Sequence, residues 1–290
     1  MKNRMMANLL IACMIAGITL YASNAHREKQ ERLKKDTSQL LTDISPDTID
    51  TIHIVSKGHD NIELIKIDKD NWKLVKPVEA RADLTPIDRI TDMLASKSFS
   101  KYDKSEINSL ESLELQPAKR AVRLNGKRFV VGGHDPISNR LYVMHNNKVH
   151  LIEDEFSHFL ILGYPSFVKR LILPANTYIE AIQTPEYHIV KGNNSWHTDP
   201  ELSPEKVQQI FRSWSNAFSE RVSYLMVEDL KDQKTIPIQI ITSDSNKIFN
   251  LEAVIKDNQF WLCRKDIGVK YHMPMKLVDE LLPEFDQPNK

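Results

Sequence analysis

The chain has 290 residues, of which 41% are hydrophobic and 27% are charged, a composition typical of neither a disordered chain nor an all-membrane protein. Its 39 basic and 39 acidic residues balance, whereas a nucleic-acid-binding protein normally shows a basic surplus. Eight glycines and two cysteines argue against glycine-rich phosphate loops, disulfide scaffolds and zinc ribbons. The composition therefore favours one or two globular domains that do not bind nucleic acid.

An apolar segment without charged residues runs from Met5 to Ser23 and follows two basic residues, Lys2 and Arg4. As a helix it would be about 28 Å long, close to the roughly 30 Å hydrocarbon core of a bilayer. We predict a transmembrane signal anchor over residues 1–25. Its bilayer-facing side chains are Leu9, Leu10, Ile11, Met14, Ile15, Ile18 and Leu20.

Two alternatives to the anchor stay open. A lipobox-like sequence precedes Cys13, and a small-residue site before His26 would release a cleaved, secreted form. The side of the membrane on which the bulk of the chain lies is also undecided. More basic residues follow the apolar segment than precede it, and a strict count of Lys and Arg would therefore place the bulk of the chain in the cytoplasm. The short N-terminal flank instead has the usual layout of a signal anchor with a periplasmic bulk.

The next segment, residues 26–47, is charged and has leucines near helical spacing, which predicts a stalk helix or linker. A first unit is predicted over residues 48–161. It contains short alternating strands, a helix that begins at Thr85 and Pro86, a tight turn at Asn146 and Asn147, and a short helix over Glu153 to Leu160.

A second unit, over residues 177–285, repeats this order after a junction at 162–176, and a tail follows at 286–290. The closest repeat is the helix start, where Ser203 and Pro204 match Thr85 and Pro86. The predicted fold class is therefore α+β, with an N-terminal transmembrane helix followed by two tandem antiparallel-sheet-plus-helix units related by internal duplication.

The loop that contains His134, Asp135 and Arg140 is the candidate ligand or partner site, and His134 and Asp135, with His145, His150 and His158 downstream, are the nearest approach to a metal-binding constellation. The predicted hairpin places His145 opposite Lys148 and keeps it away from His150, which disfavours a zinc site and predicts surface histidines. We therefore predict no metal, no cofactor and no catalytic residue.

Other candidate groups have simpler interpretations. Cys263 lies within a strand-like run, which predicts a buried, inert thiol although His272 lies nearby in the sequence. The consecutive acidic residues from Glu153 to Glu155 suit the first turn of a helix. The aromatic residues Phe211, Trp214 and Phe218 have the spacing of a buried helix face.

The order of several short sequences resembles the bacterial domain-of-unknown-function family numbered 4340. The matching sequences are Trp72-Lys73-Leu74, Phe129-Val130-Val131-Gly132-Gly133-His134-Asp135-Pro136, Arg140-Leu141-Tyr142-Val143, Val149-His150-Leu151-Ile152 and Lys169-Arg170-Leu171-Ile172. The resemblance covers residues 48 to 175. It implies a membrane anchor that carries an extracytoplasmic domain without established activity, in a family with some members encoded beside ABC-type export or gliding-motility-type systems.

These observations predict a non-enzymatic, single-pass protein of the inner membrane whose periplasmic bulk binds a protein partner. The partner would belong to an ABC-type transporter or another envelope assembly. The alternative is a periplasmic ligand-binding or hydrolytic domain that uses a cleft between the two units.

Overall fold

The computed structural model describes residues 40–193, 195–243 and 247–284. Antiparallel strands dominate this part of the chain and form two sheets, the first within residues 51–152 and the second within residues 179–273. The first sheet contains β1 Thr51–Ser56, β2 Ile62–Lys66, β3 Trp72–Lys76, β4 Ala80–Arg81, β5 Ser100–Asp103, β6 Arg120–Leu124, β7 Lys127–His134, β8 Leu141–His145 and β9 Lys148–Ile152. The second contains β10 Ile179–Gln183, β11 His188–Lys191, β12 Trp196–Asp199, β13 Arg221–Tyr224, β14 Thr235–Thr242, β15 Lys247–Lys256, β16 Gln259–Arg264 and β17 Val269–Met273.

The strand order shows how the sheets are assembled. In the first sheet the order is β4-β3-β2-β1-β6-β7-β8-β9-β5, and in the second it is β12-β11-β10-β14-β15-β16-β17-β13. Each sheet contains a meander of four consecutive strands, β6 to β9 in the first and β14 to β17 in the second, with β5 or β13 added at its far edge. Apolar side chains alternate along these strands between buried and more exposed positions, as in β8, which is the pattern of a sheet with one covered face.

The helices of the described residues are few and short. They are α1 Leu84–Asp92, α2 Ser157–Leu162, α3 Pro204–Ser215, α4 Val227–Leu230 and α5 Val278–Leu281. Helix α3, with 12 residues, begins where the sequence predicts, because the Ser203 hydroxyl accepts a hydrogen bond from the Lys206 backbone N–H at 3.3 Å. At α1 the capping side chain is that of Asp83, which accepts from the Thr85 N–H at 3.0 Å, so the helix begins one residue before the predicted start at Thr85.

The predicted α+β class is wrong, and the described chain is mostly antiparallel β structure. The helix expected over Glu153 to Leu160 starts only at Ser157, and near the C-terminus a 3-10 turn over Met275–Leu277 is followed by the four residues of α5. Conversely, β5 and β13 lie in segments without a predicted strand. Pairing with distant strands, such as β5 with β9, therefore determines the structure more than local helical spacing does.

The transmembrane helix of the predicted architecture lies outside the described residues, as do Leu9, Leu10, Ile11, Met14, Ile15, Ile18 and Leu20. Within the described residues no helix is long and apolar enough to cross a membrane. Only the end of the predicted stalk is described, where residues 40–45 are not helical and Pro46–Thr48 form a single 3-10 turn. Leu41 is buried and its N–H donates to the Ser96 carbonyl at 2.9 Å.

The chain divides into two compact units that do not follow the sheets. The first unit holds the described residues up to Thr48, together with Thr91–Ala118 and Val130–Asp154. One cluster of its buried side chains is formed by Leu115, Val130 and Val149, with partly buried side chains such as Met144 packed against them.

The second unit holds Ile49–Ile90, Lys119–Phe129 and the described residues from Glu155 onward. Its largest fully buried side chains include Trp214, Tyr187, Tyr271 and Phe260. Of the aromatic residues predicted to form one helix face, Trp214 is in the core, whereas Phe218 lies beyond the end of α3 and is exposed.

Candidate functional site

The candidate site lies in the first unit, in the loop between β7 and β8. The pairing register of these strands shifts between Val131 and His134, so Gly132 and Gly133 form a bulge before the loop begins. Beyond the bulge the loop closes on itself, because the Asp135 N–H donates to the Arg140 carbonyl at 2.7 Å. The loop is therefore an ordered projection of the sheet.

The carboxylate of Asp135 stabilises the loop from within. Its Oδ2 accepts hydrogen bonds from the Ser138 N–H and hydroxyl, both at 2.7 Å, and its Oδ1 accepts from the Tyr142 hydroxyl at 2.9 Å. The hydrogen bonds from Ser138 make the largest contribution to lowering the pKa of Asp135, and the bond from Tyr142 lowers it further. Burial makes the largest contribution to raising the pKa of Tyr142, and the hydrogen bond to Asp135 raises it further. Asp135 thus has a positioning role in the loop.

His134 and Arg140 each contact an acidic residue that follows β9. The His134 Nε2 lies 2.8 Å from the Asp154 Oδ2, and the Arg140 Nε donates to the Glu153 Oε1 at 3.1 Å. These acidic residues were predicted to lie in the first turn of a helix, and that prediction is wrong. Their carboxylates instead pair with basic side chains, because the strand order brings the end of β9 beside the start of β8.

Exposed apolar side chains lie on the loop and on the segment that includes β5. The Arg140 guanidinium stacks on the Phe99 ring, with its carbon 3.5 Å from the ring centroid, within the range of a cation–π interaction. Phe99 and Tyr102 are both partly exposed, and the Ile137 side chain at the tip of the loop is 95% exposed. We call Phe99, Tyr102, His134, Ile137 and Arg140 the loop surface.

The loop surface contains two residues of the predicted site, His134 and Arg140. Its other three residues are Phe99, Tyr102 and Ile137. His134 and Arg140 present side chains on it, whereas Asp135 is used inside the loop. Sequence reasoning missed Phe99 and Tyr102, because they reach this surface only through the pairing of β5 with β9. Aromatic rings and arginine are enriched at protein interfaces.

The histidines of the β8–β9 hairpin are placed as predicted but are not at the surface. His145 lies opposite Lys148 and His150 opposite Val143, and Asn146 and Asn147 form the turn with positive φ. The expectation of surface histidines is wrong here, because both rings are buried. The His150 Nδ1 lies 2.9 Å from the Ser98 hydroxyl, and burial lowers the pKa of His150 to about 4.

Cys263 and His272 do not form a nucleophile–base pair. On the adjacent strands β16 and β17, Cys263 faces Lys270 and His272 faces Trp261. Burial raises the pKa of the Cys263 thiol to about 12, so it is protonated at neutral pH. The His272 Nε2 instead lies 2.8 Å from the Ser223 hydroxyl.

The described part of the chain contains no group of three or more His, Cys, Asp or Glu side chains placed to hold a metal ion. No family model, curated protein or solved structure matches this chain.

Proposed function

We propose that this protein is a non-enzymatic accessory component of an envelope assembly, and that it binds a protein partner through the loop surface. The observation that carries the proposal is Ile137, which is almost fully exposed at the tip of a loop held by internal hydrogen bonds. An ordered loop loses little conformational entropy when a partner covers it. Burial of an exposed isoleucine side chain contributes about 1.5–3 kcal/mol.

Other members of the loop surface support the same role. Phe99 and Arg140 are already stacked, so their side chains are pre-ordered for contact with a partner. Tyr102 adds a ring with both an apolar face and a hydroxyl. The partner would offer an apolar pocket for Ile137, with polar groups at its rim for His134 and Arg140.

The subcellular location of the protein is part of the proposal and is based on the sequence. The apolar run of residues 5–23 would anchor the chain in the inner membrane and place its bulk in the periplasm, beside an ABC-type transporter or a similar assembly. The resemblance to the domain-of-unknown-function family numbered 4340 supports the periplasmic side. Two experiments test this location. We expect the chain to resist alkaline carbonate extraction and its C-terminus to be accessible to protease in spheroplasts. Release of the chain by carbonate, or a protected C-terminus, would contradict it.

Site-specific photocrosslinking in native membranes tests the docking surface. We expect a photoreactive residue at position 137 to form crosslinks to one protein partner, identified by mass spectrometry. The matched control is position 227, where Val227 is 81% exposed on α4 in the second unit. Ile137→Asp should abolish co-purification of the partner, whereas Val227→Asp should not. Equal crosslinking from both positions would contradict the proposal.

A further inference from the structure

A cavity of about 300 Å³ in the second unit is lined mainly by charged side chains. Its basic residues are Lys73, Arg81, Lys169 and Lys247, and its acidic residues are Asp70 and Glu79. They come from β3, β4, β15 and the segments beside them. Since the whole chain has no net charge, this local surplus of positive charge is a distinct feature of the fold.

Backbone carbonyls hold the Arg81 guanidinium, and a backbone hydrogen bond joins Lys169 to Arg81. The Arg81 guanidinium donates to the Leu171 carbonyl at 2.8 Å and to the Ile172 carbonyl at 3.2 Å. The Lys169 N–H donates to the Arg81 carbonyl at 2.8 Å. Arg81 and Lys169 therefore lie side by side at the cavity, and both carbonyl contacts of Arg81 come from a single guanidinium nitrogen.

The acidic residues neutralise only part of this charge. Lys73 is paired with Glu79, with the Nζ 2.6 Å from the Oε2, whereas no carboxylate of the described residues forms an ion pair with Lys169 or Lys247. Burial, followed by repulsion from Arg264 and Arg81, lowers the pKa of Lys247. An anion in the cavity would relieve this repulsion.

We propose that the cavity binds a compact anion that carries phosphate, with Lys169 and Lys247 as its charge partners and Arg81 as a hydrogen-bond donor. A planar guanidinium matches the geometry of phosphate oxygens, and ammonium groups bind them as point charges. A cavity of this size lies at the lower end of the range for small-molecule sites, which favours pyrophosphate or a small phosphate monoester. The site is independent of the loop surface, so it does not rest on the proposed function.

Calorimetric titration of the full-length protein in detergent with inorganic pyrophosphate, at constant ionic strength, tests the site. We expect saturable binding that Lys169→Gln and Lys247→Gln each weaken about tenfold, the fold-change that corresponds to about 1.4 kcal/mol. The matched control is Lys256→Gln. It removes the same charge at the other end of β15, where Lys256 is exposed and does not line the cavity, and should change the affinity less than twofold.

A parallel titration with dihexanoyl phosphatidic acid, below its micelle concentration, separates a lipid headgroup from a free phosphate. Binding of the lipid alone, lost in Lys169→Gln and Lys247→Gln, would support the site with a headgroup as its ligand. Binding of neither compound, or an equal loss in Lys256→Gln, would overturn the proposal. Thermal unfolding of each variant, followed by circular dichroism, distinguishes lost binding from lost folding.

Discussion

The indole N–H of Trp214 donates a hydrogen bond to the Tyr187 hydroxyl at 2.9 Å, and this hydroxyl donates in turn to the Leu281 carbonyl at 2.8 Å. Both rings are buried. The two bonds join α3, the residue before β11 and the C-terminal α5, which are far apart in the sequence. A single hydroxyl thus satisfies two buried polar groups in the core of the second unit.

Replacement of this hydroxyl leaves both groups without their partner. We expect Tyr187→Phe to lower the free energy of unfolding by about 1–3 kcal/mol, since a buried donor or acceptor that loses its partner costs this amount. Urea denaturation measures the change. The matched control, Tyr178→Phe, removes a hydroxyl from a side chain that is 76% exposed and should leave the midpoint unchanged. Equal midpoints for both variants would show that the bonds contribute nothing.

The two buried tryptophans should be the most sensitive positions for truncation. Trp72→Ala and Trp214→Ala each remove a large ring from a buried site, for which we expect a loss of about 3–5 kcal/mol. Trp196→Ala is the control, because Trp196 lies on an edge strand and is only partly buried, against Phe211. Chemical denaturation compares the three, and a midpoint that hardly moves for Trp72 or Trp214 would contradict their assignment to the core.

Substitution by alanine should change the stability of the protein differently at the two adjacent glycines that precede the loop between β7 and β8. A Cβ at Gly132 would lie 2.3 Å from the Leu113 carbonyl oxygen, whereas one at Gly133 would meet nothing closer than 3.5 Å. We therefore expect Gly132→Ala to destabilise the protein by about 1–3 kcal/mol, the usual cost of overpacking. Gly133→Ala should be tolerated. Thermal unfolding of the two variants checks this, and a reversed order would show that the bulge has a different geometry.

The buried His150 should make stability depend on pH. Its pKa is about 4 in the folded protein and about 6.5 in an unfolded chain. Between these values the unfolded chain binds a proton that the folded protein does not. The stabilisation is therefore fully present above about pH 6.5 and falls as the pH drops toward 4.

Denaturation curves between pH 4.5 and pH 7 measure this contribution of His150. We expect His150→Asn, which keeps a polar group beside Ser98, to reduce the slope of stability against pH by up to about 1.4 kcal/mol per pH unit. His188→Asn is the control, because His188 is exposed on β11. A slope that stays the same in His150→Asn would refute the assignment of a neutral, buried imidazole.

Features set by neighbouring residues could be predicted from the sequence. The turns at Asn146–Asn147 and at Asp257–Asn258 have positive φ at every position, which asparagine and aspartate tolerate. These turns fix the registers of β8 with β9 and of β15 with β16. The capped start of α3 at Ser203 is local in the same way. In each case the signal and the structure lie within a few residues of each other.

Features that depend on distant residues could not be predicted. β5 forms only beside β9, about fifty residues later, and its sequence alone has no strong strand pattern. The same holds for the candidate sites. Asp154 meets His134 across two strands, and the charged cavity joins Lys73 to Lys247, a separation that no short sequence pattern spans.

The lengths of the outer strands limit how other chains can associate with this protein. In the described part of the chain the sheets end at β4, with two residues, and at β5, β12 and β13, with four residues each, whereas the inner strand β15 has ten. A short edge offers few unpaired N–H and C=O groups to an incoming strand. The protein should therefore resist continued edge-to-edge aggregation while it folds. Recognition of this protein should accordingly depend on side chains more than on strand addition.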